Sequence, residues 1–262
     1  MLLIDSHCHL DRLNYKTIHT NINDVLQKAY KNYVKIFLTI STSIDNFEYV
    51  SQLYKSHKNI FYSYGIHPLY LKNNNILNLN TVLNNKKIIA IGETGLDYHS
   101  NDKKKNEQQK LFEKHINLSI KTNKPIIIHS RNAILDTIKI LKNQHNYSCR
   151  GVLHSFCEDI NYAKQLLDIG FYISFSGIIT FKNADNIRTA LKYIPIDCML
   201  IETDSPYLTP IPYRGKENQP AFLYNIAKYI SDYKKISLQT ISEVTTKNFI
   251  NLFGIQLDDF MK

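Results

Sequence analysis

The feature that most constrains the fold of this chain is an alternation of short apolar segments with longer amphipathic ones along its 262 residues. The apolar segments are rich in Ile, Val and Leu and have the length of buried β-strands: Leu2–Ser6, Lys35–Ile40, Ile60–Gly65, Ile88–Ile91, Pro125–Ile128, Gly151–Leu153, Phe171–Phe175 and Met199–Ile201. Helical patterns separate them, among them Asn106–Lys121, Ala133–Asn143, Tyr162–Ile169 and Ala221–Asp232, and another follows near Leu238–Leu252. Apolar strands separated by helices predict a parallel sheet that is buried on both faces.

Eight strand–helix units favour an α/β fold of the (β/α)8, TIM-barrel type, and the chain has the usual length of one such barrel. We therefore expect residues 1–262 to form a single domain, with Asn73–Asn75 at the edge of a loop. An open doubly wound sheet is the alternative fold. No G-x-G-x-x-G motif follows the first strand, which argues against dinucleotide binding.

No apolar run reaches the roughly 18 residues that a membrane span requires. The first residues, MLLIDSHCHLD, lack the basic and then apolar order of a signal peptide. The four cysteines form no C-x-x-C pair, and we interpret them as reduced thiols. These observations predict a cytoplasmic protein that contacts no membrane and has no dedicated protein partner.

The formal net charge is +9, which is compatible with a polyanionic partner such as nucleic acid. A second explanation competes with this one. Of the 32 basic residues only five are Arg, and Lys, Asn, Ile and Tyr are abundant, as expected for an AT-rich genome. The second explanation is favoured, so the charge alone does not establish a nucleic-acid substrate.

Polar residues follow directly after five of the predicted strands. The first strand runs into His7 and His9, which share one face because side chains alternate across a strand, and which can therefore bind one metal ion. The other motifs are Gly92-Glu93-Thr94-Gly95, His129-Ser130-Arg131, His154-Ser155-Phe156 and Glu202-Thr203-Asp204-Ser205-Pro206.

In a (β/α)8 barrel the carboxyl ends of all strands meet at one rim, where the active site lies. Four histidines and two carboxylates would gather there. A single histidine at a strand end is usually structural, but six such residues at successive strand ends are hard to explain as coincidence. The mixture of nitrogen and oxygen ligands suits Zn²⁺, and Mn²⁺, Ni²⁺ or Mg²⁺ are alternatives. The predicted metal ligands are His7, His9, Glu93, His129, His154 and Asp204.

The sequence resembles the TatD family of metal-dependent hydrolases, within the amidohydrolase-like superfamily. The motifs that carry the resemblance are DSHCHLD at 5–11, GIHP at 65–68, IGETGLD at 91–97, HSR at 129–131, HSF at 154–156, ETDSPY at 202–207 and YRGKEN at 213–218. They span nearly the whole chain in order. The resemblance implies a barrel of the amidohydrolase type, a pair of divalent metal ions and hydrolysis of DNA from the 3′ end.

The resemblance also implies a division of the ligands between two ions. His7, His9 and Asp204 would hold the first ion, His129 and His154 would hold the second, and Glu93 would bridge the two. A bridging carboxylate offsets the repulsion between two nearby cations. As catalytic residues we predict Glu93 and Asp204, because Asp204 can accept a proton from the activated water while it binds a metal.

Three residues at the rim are candidate substrate contacts. Arg131 and Arg214 belong to the five arginines of the chain, and a planar guanidinium can bind phosphate oxygens in a bidentate manner. An ordinary salt bridge is the alternative for each. His67, before Pro68, can contact substrate or stabilise a turn. Asp5 and Glu202 lie on the same faces as predicted ligands and can either orient them or be buried carboxylates without such a role.

The sequence therefore favours a metal-dependent deoxyribonuclease that acts on single strands or chain ends, with Tyr207 available to stack on a base. An amide or ester hydrolase, such as an aminoacyl-tRNA deacylase, can use the same metal pair. A non-catalytic binding protein is the third possibility, but the complete ligand set argues against it.

Overall fold

The structure is a computed structural model and describes residues 1–71, 77–100, 102–143 and 149–256. These residues contain eight parallel strands that pair in chain order from the first to the eighth. The strands are β1 (Leu3–Cys8), β2 (Val34–Thr39), β3 (Ile60–Tyr64), β4 (Ile88–Asp97), β5 (Ile126–Arg131), β6 (Gly151–Leu153), β7 (Tyr172–Phe175) and β8 (Met199–Ile201). The expected loop edge at Asn73–Asn75 lies outside the described residues.

A helix follows each strand. The helices are α1 (Ile22–Lys31), α2 (Ile44–Leu53), α3 (Leu79–Asn84), α4 (Lys105–Thr122), α5 (Ile134–Asn143), α6 (Ile160–Asp168), α7 (Asp185–Tyr193), α8 (Leu223–Lys234) and α9 (Leu238–Phe253). Within the described residues, none of these helices combines the length and the apolar character that crossing a membrane requires.

The first and last strands meet and close the barrel. The backbone N–H of Asp204 donates to the carbonyl of His7 at 2.9 Å, and the N–H of His9 donates to the carbonyl of Ser205 at 2.8 Å. The hydroxyl of Ser6 adds a bond to the carbonyl of Ile201 at 2.9 Å. The predicted (β/α)8 barrel is thus confirmed, and the open sheet is excluded.

Side-chain caps determine where several helices begin. The helix predicted at Tyr162 starts two residues earlier, at Ile160, because the Asp159 carboxylate accepts the N–H groups of Asn161 and Tyr162. Such a cap satisfies backbone donors that have no partner within the helix. Ser43 and Ser237 cap α2 and α9 in the same way.

Two glycines let β4 continue beyond its predicted end at Ile91. Gly92 and Gly95 have φ angles of +130° and +136°, which residues with a side chain rarely adopt. A Cβ at Gly95 would lie 2.1 Å from the carbonyl oxygen of His129, so only glycine allows β5 to approach this closely. The extension to Asp97 carries Glu93 into the rim of the barrel.

Apolar side chains fill the amino-terminal end of the barrel. The second residues of six strands belong to one buried cluster, which also contains Phe249, Leu252 and Phe253 of α9; these strand residues are Ile4, Phe61, Ile89, Ile127, Val152 and Leu200. Polar side chains are therefore concentrated at the opposite, carboxyl end of the strands, where the chemistry of such barrels takes place.

Candidate metal centre

The structure brings together all six residues that the sequence predicts as metal ligands. His7 is in β1 and His9 follows it, Glu93 is in β4 and His129 is in β5. His154 and Asp204 follow β6 and β8. Five of the six side chains are buried and His129 is half-buried. They form a cluster at the carboxyl ends of the strands, inside the rim of the barrel.

The carboxylate of Glu93 lies between two groups of histidines. Its Oε2 atom is 3.5 Å from Nε2 of His7 and 4.0 Å from Nε2 of His9. Its Oε1 atom is 3.0 Å from Nδ1 of His129 and 2.9 Å from Nε2 of His154. One oxygen therefore faces each group, which is the arrangement that a bridging carboxylate needs.

Asp204 completes the first group. Its Oδ1 atom is 3.5 Å from Nε2 of His7 and 3.4 Å from Nε2 of His9. These distances exceed those of ordinary hydrogen bonds. They match the separation of about 3.4 Å between neighbouring ligands of a tetrahedral ion whose bonds are about 2.1 Å long. Asp204 also has a φ of +54°, a conformation that Asp adopts more readily than most residues.

Three ring nitrogens of this group have no hydrogen-bond partner among the described residues. They are both ring nitrogens of His7, which is fully buried, and the Nδ1 atom of His9. An unsatisfied buried polar group costs about 1–3 kcal/mol, so such groups need an explanation. Coordination of a cation by Nε2 supplies a partner to one of the two His7 nitrogens, and the donor set therefore fits a metal site.

Two further carboxylates orient the histidines of the second group. Oδ2 of Asp97 lies 3.2 Å from Nε2 of His129, and Oε1 of Glu202 lies 3.2 Å from Nδ1 of His154. Each carboxylate holds one ring nitrogen and thereby turns the other toward Glu93. Carboxylates with this role are common behind metal-bound histidines. Glu202 was a candidate for this role from the sequence, whereas the role of Asp97 was not predicted.

Asp5 has a structural position instead. Its carboxylate accepts the N–H and the hydroxyl of Thr203 at 2.9 and 2.6 Å and the backbone N–H of His7 at 3.4 Å. Within the described residues no hydrogen bond joins it to the ring of His7. Burial, opposed by these hydrogen bonds, raises the pKa of Asp5 to about 8. Of the two roles open to Asp5, the structure supports the buried carboxylate that ties β1 to the segment after β8.

Burial and the neighbouring charges together shift the pKa values of the cluster. Burial alone would raise the pKa of Glu93, but the surrounding histidines, above all His154, keep it well below its usual range. Burial likewise opposes protonation of His154, yet Glu93 and Glu202 raise its pKa well above that of a free histidine. Burial and the neighbouring His154 lower the pKa of His7, which favours the neutral form that binds metals.

A cavity of about 330 Å³ opens above this cluster. Arg131 lies in its wall, as the sequence predicted, and so does Tyr207. Arg214 is not among the lining residues: its guanidinium packs over the ring of Phe181, 3.9 Å from the ring centre. The lining consists of His9, Arg12, Thr42, His67, Leu69, Tyr70, Glu93, Asp97, His129, Arg131, His154, Asp204 and Tyr207.

His67 lines the same cavity and also stabilises a turn. Its Nδ1 atom accepts the N–H of Leu69 at 3.2 Å, and its Nε2 atom lies 3.6 Å from Oε1 of Glu93. Burial lowers the pKa of His67 to about 3, so the ring is neutral at physiological pH. Contact of His67 with substrate stays a prediction.

Arg12, which was not predicted from the sequence, lines the cavity from the turn after β1. Two signals were available: Arg12 directly follows the DSHCHLD motif, and arginine is scarce in this chain.

Comparisons with known proteins give a consistent result. Residues 4–254 match the sequence model of a family described as TatD related DNase. An uncharacterized metal-dependent hydrolase of Buchnera aphidicola subsp. Baizongia pistaciae is 54% identical over 257 residues, which cover 97% of each chain. The uncharacterized metal-dependent hydrolase YcfH of Escherichia coli K12 is 44% identical over 256 residues, again 97% of each chain. The crystal structure of YJJV, a TatD homologue from Escherichia coli K12, superposes with a TM-score of 0.88 at 24% identity and covers 97% of this chain and 98% of its own.

Proposed function

Because the chain belongs to the TatD family of metal-dependent hydrolases, we propose that it hydrolyses phosphodiester bonds in DNA and trims single strands from their 3′ end. The direction of trimming rests on the resemblance to the family. The substrate class rests on the groups that line the cavity above the metal centre.

Two divalent ions would bind to the cluster. His7, His9 and Asp204 would hold one ion, His129 and His154 the other, and Glu93 would offer one carboxylate oxygen to each. The separate approach of the two Glu93 oxygens to the two groups supports this division. The nitrogen and oxygen donors suit Zn²⁺, Mn²⁺ or Ni²⁺, and Mg²⁺ is a further candidate.

When bound, such ions lower the pKa of a water from about 15.7 toward 7 and polarise phosphoryl oxygens. The protein residues supply the rest of the chemistry. Oδ1 of Asp204 faces His7 and His9, so its Oδ2 atom is left to accept the proton of the attacking water. Asp97 and Glu202 hold the rings of His129 and His154 in place during the reaction.

The observation that carries the choice of a phosphodiester is the position of Arg131. Its exposed side chain lines the cavity and has no carboxylate within salt-bridge distance in the described part of the chain. A guanidinium without an internal partner is available to bind two phosphoryl oxygens in a fork. A neutral amide or ester substrate can accept a hydrogen bond from this group but carries no negative charge to pair with it.

The shape of the site supports single strands and chain ends. The cluster lies at the floor of a cavity near the lower end of the roughly 300–1,000 Å³ range for small-molecule sites. A wide duplex cannot reach this floor without distortion, whereas a strand end can. Tyr207 is 45% exposed in the wall and can stack on a base.

The test is a time course on end-labelled DNA with protein reloaded with Mn²⁺, Mg²⁺, Zn²⁺ or Ni²⁺. Single strands, blunt duplex and covalently closed circles are compared with amide and ester substrates. We expect single strands labelled at the 5′ end to shorten progressively, while closed circles remain intact.

The Asp204→Asn protein, purified in parallel, controls for contaminating nucleases. Nicking of closed circles would indicate an endonuclease instead. Loss of an amide or ester substrate without cleavage of any DNA would favour the amide or ester hydrolase over our proposal.

A further inference from the structure

Arg12 occupies the wall of the cavity opposite Arg131. It lies in the turn directly after β1, whereas Arg131 is the last residue of β5. In a barrel whose eight strands pair in chain order, β1 and β5 lie on opposite sides. The cavity therefore presents one guanidinium on each side of the metal centre.

In the part of the chain that the structure describes, the guanidinium of Arg12 is held in place by neutral groups only. Its NH2 nitrogen donates to the hydroxyls of Thr42 at 2.7 Å and Tyr70 at 3.1 Å, and its NH1 nitrogen donates to the hydroxyl of Tyr207 at 3.2 Å. Throughout the described ranges no carboxylate lies within salt-bridge distance of it. Three of the five donors of the side chain are used in this way, which leaves two N–H groups and an uncompensated charge.

Two aromatic rings stand beside this charge. Tyr70 and Tyr207 are 41% and 45% exposed, and both line the cavity. Because both hydroxyls accept hydrogen bonds from Arg12, the guanidinium fixes the positions of the two rings at the mouth of the site. Exposed aromatic faces next to a fixed positive charge are the elements with which proteins bind single-stranded nucleic acids.

We propose that Arg12 binds the phosphate that neighbours the scissile one, with Tyr70 and Tyr207 against the attached base, so that the site prefers a nucleotide chain to an isolated phosphodiester. This inference rests on the proposed function, because it takes the scissile phosphate to lie at the metal centre. Arg131 then binds the scissile phosphate from one side, and Arg12 anchors the next unit of the strand on the other.

The experiment compares Arg12→Gln with Arg150→Gln. Arg150 precedes β6 at the other end of the barrel, where it donates to the carbonyl of Asn123, so its replacement removes the same charge away from the cavity. The first readout is fluorescence anisotropy of a labelled single-stranded phosphorothioate oligodeoxynucleotide, which resists hydrolysis, added to the metal-loaded protein at several salt concentrations.

We expect Arg12→Gln to weaken binding about fivefold or more and to reduce the slope of log Kd against log salt by about 0.7, the value for one phosphate contact with a single strand. Arg150→Gln should change neither quantity. In hydrolysis, Arg12→Gln should lower kcat/KM for an oligodeoxynucleotide several-fold more than for bis(p-nitrophenyl) phosphate, which has one phosphate and no base.

A second variant distinguishes phosphate binding by Arg12 from a purely structural role in positioning the two tyrosines. The double replacement Tyr70→Phe and Tyr207→Phe removes both hydroxyls but keeps the charge of Arg12, so the salt slope should persist. The proposal is overturned by equal effects of Arg12→Gln and Arg150→Gln, by loss of the slope in the double variant, or by absence of oligonucleotide binding to the unaltered protein. Binding that depends on Arg12 without any cleavage of DNA would contradict the proposed function alone.

Discussion

Asp97 holds His129 from the side of the imidazole ring that faces away from Glu93, with Oδ2 3.2 Å from Nε2 of the ring. Burial opposes ionisation of Asp97, but hydrogen bonds from His129 and from the N–H of Ser100 hold its pKa below the usual range. The carboxylate is therefore ionised and can fix the tautomer in which Nδ1 of His129 is free to bind a metal.

We expect Asp97→Asn to weaken metal binding or activity about 10- to 100-fold, the usual cost of losing a carboxylate behind a metal-bound histidine. The amide keeps the shape of the side chain but not the charge that holds the ring. Metal titration and steady-state kinetics check this, with Asp185→Asn on the surface as the control. Unchanged metal affinity and activity would show that the contact between Asp97 and His129 has no role in the site.

The division of the ligands predicts the metal content of two variants. His129→Ala or His154→Ala should remove one of two ions, because the first group of ligands is complete without these residues. Most of the activity should be lost while the circular dichroism spectrum is retained. Elemental analysis of gently purified proteins gives the count. Full metal content and rate in both variants would contradict the assignment of these histidines.

If Arg131 binds phosphate through its planar guanidinium, a positive charge alone at this position is not sufficient for full activity. Arg131→Lys should reduce kcat/KM for phosphodiester hydrolysis about 10-fold or more, about 1.4 kcal/mol, because an ammonium cannot form the bidentate fork. Arg150→Lys is the matched control and should leave the rate unchanged. Equal rates in unaltered and Arg131→Lys protein would eliminate the fork as a source of catalysis.

His115 predicts a pH-dependent part of the stability. Its Nε2 atom accepts the N–H of Ile66 at 3.0 Å, Nδ1 bonds the carbonyl of Leu111 at 2.8 Å, and burial lowers its pKa to about 4 from 6.5. The folded state favours the neutral ring, so the contribution of His115 to the free energy of unfolding is complete above pH 6.5. It is lost as the pH falls toward 4, by at most about 3 kcal/mol.

His115→Gln should remove this dependence. The difference in free energy of unfolding between the two proteins should shrink between pH 7 and pH 4, as measured by urea denaturation. Taking the difference cancels the titration of the histidines of the candidate metal centre, which both proteins share. A difference that stays constant with pH would show that folding does not lower the pKa of His115.

The sequence predicted the fold and the ligand cluster because both depend on periodicity. The alternation of strand and helix patterns predicted all eight strands, and the predicted ligands lie where these strands end. Asp97 was missed because the predicted fourth strand stopped before Gly92. Whether two glycines allow β4 to continue depends on how closely β5 approaches, a distance that no local pattern records. Beyond Gly92, the alternation of side chains from Glu93 would have pointed to Asp97.

Contacts between loops were less predictable. Arg12 is linked to Tyr70 and Tyr207, which lie 58 and 195 positions away in sequence. Arg131 and Arg214 were given the same role on the basis of residue type, yet only Arg131 lines the cavity. Residue chemistry indicates what a side chain can bind, whereas the direction of a loop decides whether it reaches the site.

The hydrogen bond from the N–H of Asp204 to the carbonyl of His7 closes the barrel with the backbone of two candidate ligands. During synthesis His7 is made early, whereas Asp204 is added only after most of the chain has been translated. Without β8 and the segment after it, the barrel lacks this closing contact and the first group of candidate ligands lacks Asp204. The candidate ligand cluster is complete only when β8 has docked, so we expect a partly synthesised or unfolded copy of this protein to lack hydrolytic activity.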